Sequence, residues 1–374
     1  MKRFILVFLM MLCAIVLYSS SAFAISMDEF KLNGFFDLEY EGSYKVSSSM
    51  KDSSSVDRKG SFDQYHFNIL MEFPMSDNVT VKGHIEYEHV PQLSGKKIQI
   101  DEAGNKKVDV DTGKGEIKIE WAYLEYLLTN SIRLRGGMAL TPFGIYNEIH
   151  DATPTYLSIR TPWGIYKTTS VGSLNNHAMF PKFSTGIFAL GNYLSDSDLR
   201  VNYVFYISNG ENFSKNEAER DDNDNKALGG RVMVSPISGL TVGGSFFTGK
   251  KQTSATDMEN HTAWAGSLDY TIHNIGLRAE YASSKLADIT QKGSYGEVSY
   301  RVLRQMTPYL RYGMFDPDDE GDEDEWSELV YGINYELQPH FIIKIENRHF
   351  KGDTNNAKVS DDYNELGAAV TVAF

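Results

Sequence analysis

Cysteine is almost missing from this 374-residue chain: Cys13 is the only one, and it lies in the first apolar stretch. Removing that stretch leaves no disulfide, no thiol nucleophile and no thiolate metal site. Long apolar runs are equally scarce. Beyond residue 24 no segment reaches the roughly 20 apolar residues that a membrane-spanning helix requires, and mean hydropathy is −0.34. Basic charge is in deficit: 36 Lys+Arg stand against 50 Asp+Glu, for a net −14. Such a balance argues against nucleic acid as a partner. The nine histidines lack paired metal-ligand spacing, and neither a nucleotide-binding glycine loop nor a zinc motif occurs, so no cofactor is expected. Tryptophan is rare at 4 residues, but the chain carries 22 Tyr and 21 Phe.

The N-terminus reads as an export signal. Lys2 and Arg3 precede an apolar stretch from Phe4 to Tyr18, and Ala22-Phe23-Ala24 offers small residues at a cleavage site. Residues 1–24 are expected to be removed, leaving 25–374 as the exported chain. Losing Lys2 and Arg3 takes the formal charge from −14 to −16.

What is present is alternation. Stepping back by twos from Phe374 gives Val372, Val370, Ala368 and Leu366, with small or polar residues between. Successive side chains of a strand point to opposite faces, so this pattern suits one face in lipid and one in water. The same period recurs from Leu32 to Tyr44, Tyr65 to Phe73 and Val79 to Tyr87, and in some twelve further segments. Helices being excluded, closed sheets are the remaining way across hydrocarbon, because unpaired backbone groups there cost several kcal/mol each. The abundant Tyr and Phe then read as interfacial girdles. The fold expected is all-β: a transmembrane antiparallel up-and-down β-barrel of about sixteen strands, with fourteen or eighteen left open, in the outer membrane of a Gram-negative bacterium. Short connections are expected at 74–78, 129–131, 195–198, 235–239, 273–274, 305–308 and 338–340. Long ones are expected at 46–61, 92–115, 142–181, 209–225, 250–261, 286–293, 315–325 and 352–362. All ten prolines fall in connections or at strand ends, where a missing ladder donor does least harm.

Two blocks carry a resemblance. Glu120-Trp121-Ala122-Tyr123-Leu124-Glu125-Tyr126, then Arg135-Gly136-Gly137 and Thr141-Pro142-Phe143-Gly144, is similar to the phosphate- and pyrophosphate-selective porin family (porin O/P type). The second block runs through Asn209-Gly210, Asn223-Asp224-Asn225-Lys226, Gly230-Arg231-Val232, Pro236, Gly239-Leu240 and Gly249-Lys250. The likeness is best in the central part of the chain. It implies a sixteen-stranded homotrimeric channel for passive diffusion and ion transport, with anions such as phosphate among its solutes. That family's selectivity rests on clustered arginines and lysines; here the basic residues are mixed with many acids.

A barrel of about sixteen strands is too wide for side chains to fill, so a water-filled channel for small hydrophilic solutes follows. The 142–181 connection is the longest and is expected to be the constriction loop, with a surface loop as the alternative. It holds Glu148, Asp151, Arg160 and Lys167. By alternation Lys118, Arg133, Arg135, Arg200 and Arg231 face the lumen, and fixed charges there would set which solutes pass. Arg133, Arg135 and Arg160 are the first choice for the narrow zone. Phe374 is expected to act as the assembly signal for the barrel-assembly machinery. Outer-membrane lipid and lipopolysaccharide are the other partners expected.

Rival readings are an enzyme and an adhesin or structural barrel. A phospholipase-like site would be Ser208-Asn209-Gly210, but the position two before the serine is Tyr206, which is no base at neutral pH. The acidic run from Asp316 to Glu325 reads as a solvated loop tip, with divalent-cation binding as the alternative. The Asp221 to Lys226 run lacks the glycine and glutamate of a calcium-binding EF-hand loop.

Overall fold

The computed structural model describes residues 30–44, 60–63, 66–88, 96–100, 106–110, 116–149, 152–166, 169–171, 174–195, 199–211, 225–253, 257–320, 325–352 and 362–374. The expected leader at 1–24 lies outside them, as do Asp151, Lys167 and most of the Asp221 to Lys226 run.

Sixteen strands form one antiparallel sheet. The first eight are β1 (Lys31–Tyr44), β2 (His66–Ser76), β3 (Val79–Glu88), β4 (Glu116–Thr129), β5 (Ile132–Leu140), β6 (Phe183–Leu194), β7 (Arg200–Asn209) and β8 (Lys226–Ile237). The second eight are β9 (Leu240–Gln252), β10 (Met258–Ile272), β11 (Ile275–Leu286), β12 (Ile289–Tyr300), β13 (Met306–Asp316), β14 (Trp326–Gln338), β15 (Phe341–Gly352) and β16 (Tyr363–Ala373). A further piece, Ser61–Asp63, pairs with Glu39–Glu41 of β1. It continues β2 along β1, with the register slipped by one residue.

Each strand pairs with its neighbours in sequence, and β1 pairs with both β2 and β16, so the sheet closes on itself. Closure leaves no unpaired edge, which is the condition for a sheet in hydrocarbon. It rules out a strand count of fourteen or eighteen and an open sandwich.

Strand β13 shows why these residues form such a wall. Leu310, Tyr312 and Met314 project outward, Leu310 with 45% of its surface bare, whereas Tyr309, Arg311 and Phe315 project inward and are buried, Arg311 at 0%. The outward face continues through Leu32, Ile117, Ile119, Phe205, Phe246 and Trp264, all exposed. A guanidinium in the inner face between two outward apolar residues is what a two-solvent strand demands. Pro74, Pro236 and Pro308 stand near the ends of β2, β8 and β13.

The connections at one end are all short, among them Asp77-Asn78, Asn130-Ser131, His273-Asn274 and Pro339-His340. One expected long loop is corrected. The 286–293 stretch is a two-residue turn, Ala287-Asp288, because β12 begins at Ile289. Ala287 takes φ +55°, the left-handed conformation that tight hairpins need. The 250–261 connection is also shorter than expected, since β9 runs to Gln252 and β10 starts at Met258.

Candidate pore constriction

The connection between β5 and β6 does not stay at the rim. Thr141 N donates to Lys182 O at 2.9 Å, and Asn147 Nδ2 donates to both Thr141 O (2.7 Å) and Lys182 O (3.0 Å), so the segment's two ends are clipped together. Beyond the clip the chain turns at Gly144, where φ is +61° and a Cβ would fall 2.1 Å from Tyr166 Oη. Only glycine fits that approach. Two short 3-10 turns, Asn147–Ile149 and Thr153–Thr155, and the single-turn helix α1 (Trp163–Tyr166) follow.

Inward side chains of many strands hold this segment. On β8, Arg231 donates to Gly144 O at 2.8 Å and pairs with Glu148. On β9, Ser245 Oγ accepts from Gly144 N at 3.0 Å. On β11, Glu280 accepts from Ile145 N (2.8 Å) and Tyr166 Oη (2.6 Å), while Ser267 Oγ and Tyr295 Oη from the flanking strands donate to the same carboxylate. Arg278, also on β11, donates to Tyr146 Oη at 2.8 Å.

On β13, Arg311 donates to Ser158 Oγ (2.7 Å) and Arg160 O (3.1 Å). On β14, Glu328 accepts from Trp163 N (3.1 Å) and Asn334 donates to Leu157 O (3.2 Å). On β15, Glu346 accepts from Ile159 N (2.9 Å), and the Lys344 ammonium donates to three carbonyls: Thr153 (2.5 Å), Tyr156 (2.8 Å) and Ser158 (2.7 Å). On β1, Asp37 accepts from Thr153 Oγ1 at 2.9 Å, and Glu41 pairs with Arg160 at 2.5 Å. A segment bonded at once to β1 and to strands from β8 to β15 lies within the cylinder they form.

Apolar contacts complete the seating. Phe143 stacks on Phe180 with ring centroids 4.1 Å apart, and Tyr146, Tyr156 and Ile165 pack with Phe188, Phe247 and Phe315 of the wall. Burial pushes the Tyr146 phenol up to about 12, with Glu297 adding to the rise. Burial and the neighbouring Glu280 hold Tyr166 well above its ordinary range. Both phenols stay neutral at physiological pH, Tyr166 donating to Glu280 and Tyr146 accepting from Arg278.

The wall from β2 to β5 carries its own charges. Lys82 stands 3.4 Å from Glu72 and 3.4 Å from Glu125. Arg135 binds Glu125 Oε1 through two nitrogens, at 3.1 and 2.8 Å, and lies 4.1 Å above the Tyr123 ring.

The expected site residues therefore separate. Arg160 and Glu148 belong to the inward segment, and Arg231 holds it. Arg135 belongs to the paired wall, and Arg133 borders a cavity under the segment. Lys118 is partly exposed on β4, opposite Glu86 of β3. Arg200 is the exposed first residue of β7, at the short-turn end, and makes no described contact with the segment. Sequence reasoning did not single out Glu280, Arg278, Arg311 or Lys344 for this role. Their inward parity was readable, but their partners are mostly backbone groups of an irregular segment, which leave no residue pattern.

One arrangement at the segment's returning end resembles catalytic machinery. His261 Nδ1 meets Glu211, and its Nε2 lies 2.8 Å from Ser284 Oγ and 3.1 Å from Met179 O. Carboxylate, imidazole and hydroxyl stand in nucleophilic order, but His261, Glu211 and Ser284 are all buried. The group pins the returning end of the segment at Met179. Ser208 donates to Asn209 O at 3.1 Å, and Tyr206 beside it is buried.

A closed sixteen-strand barrel with a polar, segment-filled interior defines a class of membrane channel. The chain belongs to the Gram-negative porin family, whose model matches residues 11–356. An uncharacterized protein of Aquifex aeolicus (strain VF5) is 23% identical, over 92% of this chain and 79% of that protein. Among solved structures, the anion-selective porin from Comamonas acidovorans is similar with a TM-score of 0.62 at 10% identity, covering 92% of this chain and 99% of that one. The trimer form of OmpT, an outer membrane protein of Vibrio cholerae, matches with a TM-score of 0.58 at 10% identity and the same coverage. At such identities the likeness is one of fold. The family places the protein in the outer membrane as a channel for small solutes.

Proposed function

We propose that the 142–181 segment is the constriction of a passive diffusion channel, and that solutes pass between it and the wall from β2 to β7. The observation that carries this reading is the ring of hydrogen bonds and ion pairs holding the segment to β1 and to strands from β8 to β15, whereas Phe188 of β6 meets it through apolar packing. Lys82, Glu72, Glu125 and Arg135 then face Ile145, Glu148 and Arg231 across the narrow zone.

Charge pairing sets the selectivity. Arg135, Arg160, Arg231 and Lys82 each have a carboxylate partner. A filter for phosphate needs several unpaired cations together, whereas here fixed charges largely cancel. The channel therefore passes small hydrophilic solutes and ions of either sign with a weak preference, phosphate included. No catalytic role belongs to this reading: Ser284, His261 and Glu211 are buried and the imidazole holds Met179 O.

Residues 1–24 serve as the export leader, and the short turns face the periplasm. The outward apolar belt meets lipid and lipopolysaccharide, Phe374 serves the barrel-assembly machinery, and three copies assemble, a state supported by the trimeric form of a protein of similar fold. Planar-bilayer recording tests the channel reading. Stepwise conductance with a zero-current potential near zero in a KCl gradient is expected, and a silent bilayer would favour a closed structural barrel.

A further inference from the structure

Six lumen arginines carry a carboxylate partner: Arg135, Arg160, Arg231, Arg278, Arg311 and Arg348. Arg133 differs. Among the described residues its side chain has no hydrogen bond or ion pair, and it is exposed. It borders a cavity of about 500 Å³ that lies between the segment and the wall, toward the short turns. Arg200 and Arg301 also lack an ion pair among the described residues, but neither borders this cavity; an unpaired guanidinium beside a cavity has its bidentate fork free for a solute.

The register places two amides beside it. Arg133 on β5 stands opposite Leu190 on β6, and Asn192 lies two residues further along the same face of that strand. Asn192 faces Asn202 of β7 directly. Residues two apart on a strand share a face at about 7 Å, so one cation and two amides gather on one patch. Neither asparagine side chain has a hydrogen-bond partner among the described residues. Apolar side chains complete the lining: Ile145 from the segment, Leu190, Val204 and Met233 from the wall.

We infer that this cavity is a subsite for small organic monocarboxylates with a short apolar body. The inference rests on the channel reading above and names a solute class for it. The carboxylate would take the Arg133 fork and the asparagine amides, and the body would cover Leu190, Ile145 and Met233. A zwitterion fits less well, because Glu148 and Asp269, which also border the cavity, are occupied by Arg231 and Arg278. Inorganic phosphate fits less well, having one free cation to meet and no apolar part to bury.

The test uses the exported full chain in planar bilayers, with sodium benzoate added to each side in turn over a KCl background. Benzoate should reduce single-channel conductance saturably, and more strongly than equal concentrations of inorganic phosphate or glycine. Arg133→Gln should raise the half-blocking concentration by about tenfold, the worth of one charge-assisted bond. The double variant Asn192→Ala with Asn202→Ala should raise it about threefold while leaving the charge intact. Arg200→Gln, which removes a nearby charge outside the cavity lining, should leave blockade unchanged. Open-channel conductance without benzoate blockade overturns the subsite alone, as does equal blockade by phosphate or an equal loss in Arg200→Gln. Absence of any conductance overturns the channel reading itself.

Discussion

Gly34 and Phe374 exchange both of their backbone hydrogen bonds, Gly34 N to Phe374 O at 2.8 Å and Phe374 N to Gly34 O at 2.9 Å. The pair joins the first strand to the end of the last and completes the cylinder. The phenylalanine ring lies over Gly34, with Phe67 beside it at a centroid distance of 6.1 Å. A Cβ at position 34 would stand 2.3 Å from Asn68 O and 2.6 Å from that ring. Gly34→Val should therefore strain the closing seam by about 1–3 kcal/mol. Urea titration of the folded barrel in lipid, followed by tryptophan fluorescence, should show a lower midpoint; an unchanged midpoint would mean the seam carries no such crowding.

Glu280 gathers four donors: Ile145 N, Tyr166 Oη, Tyr295 Oη and Ser267 Oγ. Two of them tie the segment to β11 and two tie β11 to its flanking strands, and removing the acceptor leaves buried phenols unpaired. Glu280→Ala should cost about 3 kcal/mol or more and loosen the 144–166 region. Larger and noisier single-channel conductance is expected, together with faster protease cleavage inside the segment. Quiet, wild-type-sized channels would show that the remaining anchors suffice.

The barrel itself was legible because every strand meets two solvents at once. Leu310, Tyr312 and Met314 against Tyr309, Arg311 and Phe315 is an alternation that hydrocarbon on one side and water on the other enforce residue by residue. Where that contrast ends, so does the signal. Thr290, Gln291 and Lys292 extend β12 without an apolar face, so the Ala287-Asp288 hairpin read as a loop. Parity also assigns a face but no height along the axis, which is why Arg200 and Arg231 looked equivalent while only Arg231 reaches the segment. The seating of the segment was not legible, because Lys344 holds three carbonyls and carbonyls carry no residue identity.

Arg231 and Glu148 cancel each other beside Ile145. Breaking the pair from either side should move ion preference in opposite directions. Arg231→Gln leaves the carboxylate and should favour cations; Glu148→Gln leaves the guanidinium and should favour anions. One unit charge a few ångströms from a passing ion in a wet pore is worth on the order of 1 kcal/mol, so each permeability ratio should change by roughly fivefold. Zero-current potentials in a KCl gradient read this directly. Shifts of the same sign in both variants, or none, would place the pair away from the conduction path.

Tyr146 lies on the segment rather than in a strand, and burial raises its phenol to about 12. An unfolded tyrosine ionises near 10. Because the folded state holds its proton to higher pH, the contribution of this residue is complete below about pH 10 and is lost as pH rises from there through about 12. Tyr166, raised in the same sense, adds to the loss. Barrel stability should be flat with respect to tyrosine between pH 8 and 9.5 and should fall above that, and Tyr146→Phe should show a shallower fall because the titrating proton is gone. Urea midpoints measured across this range for both proteins decide the matter: parallel curves would mean that Tyr146 ionises as readily in the lumen as in water, and that the segment is less tightly seated than its hydrogen bonds indicate.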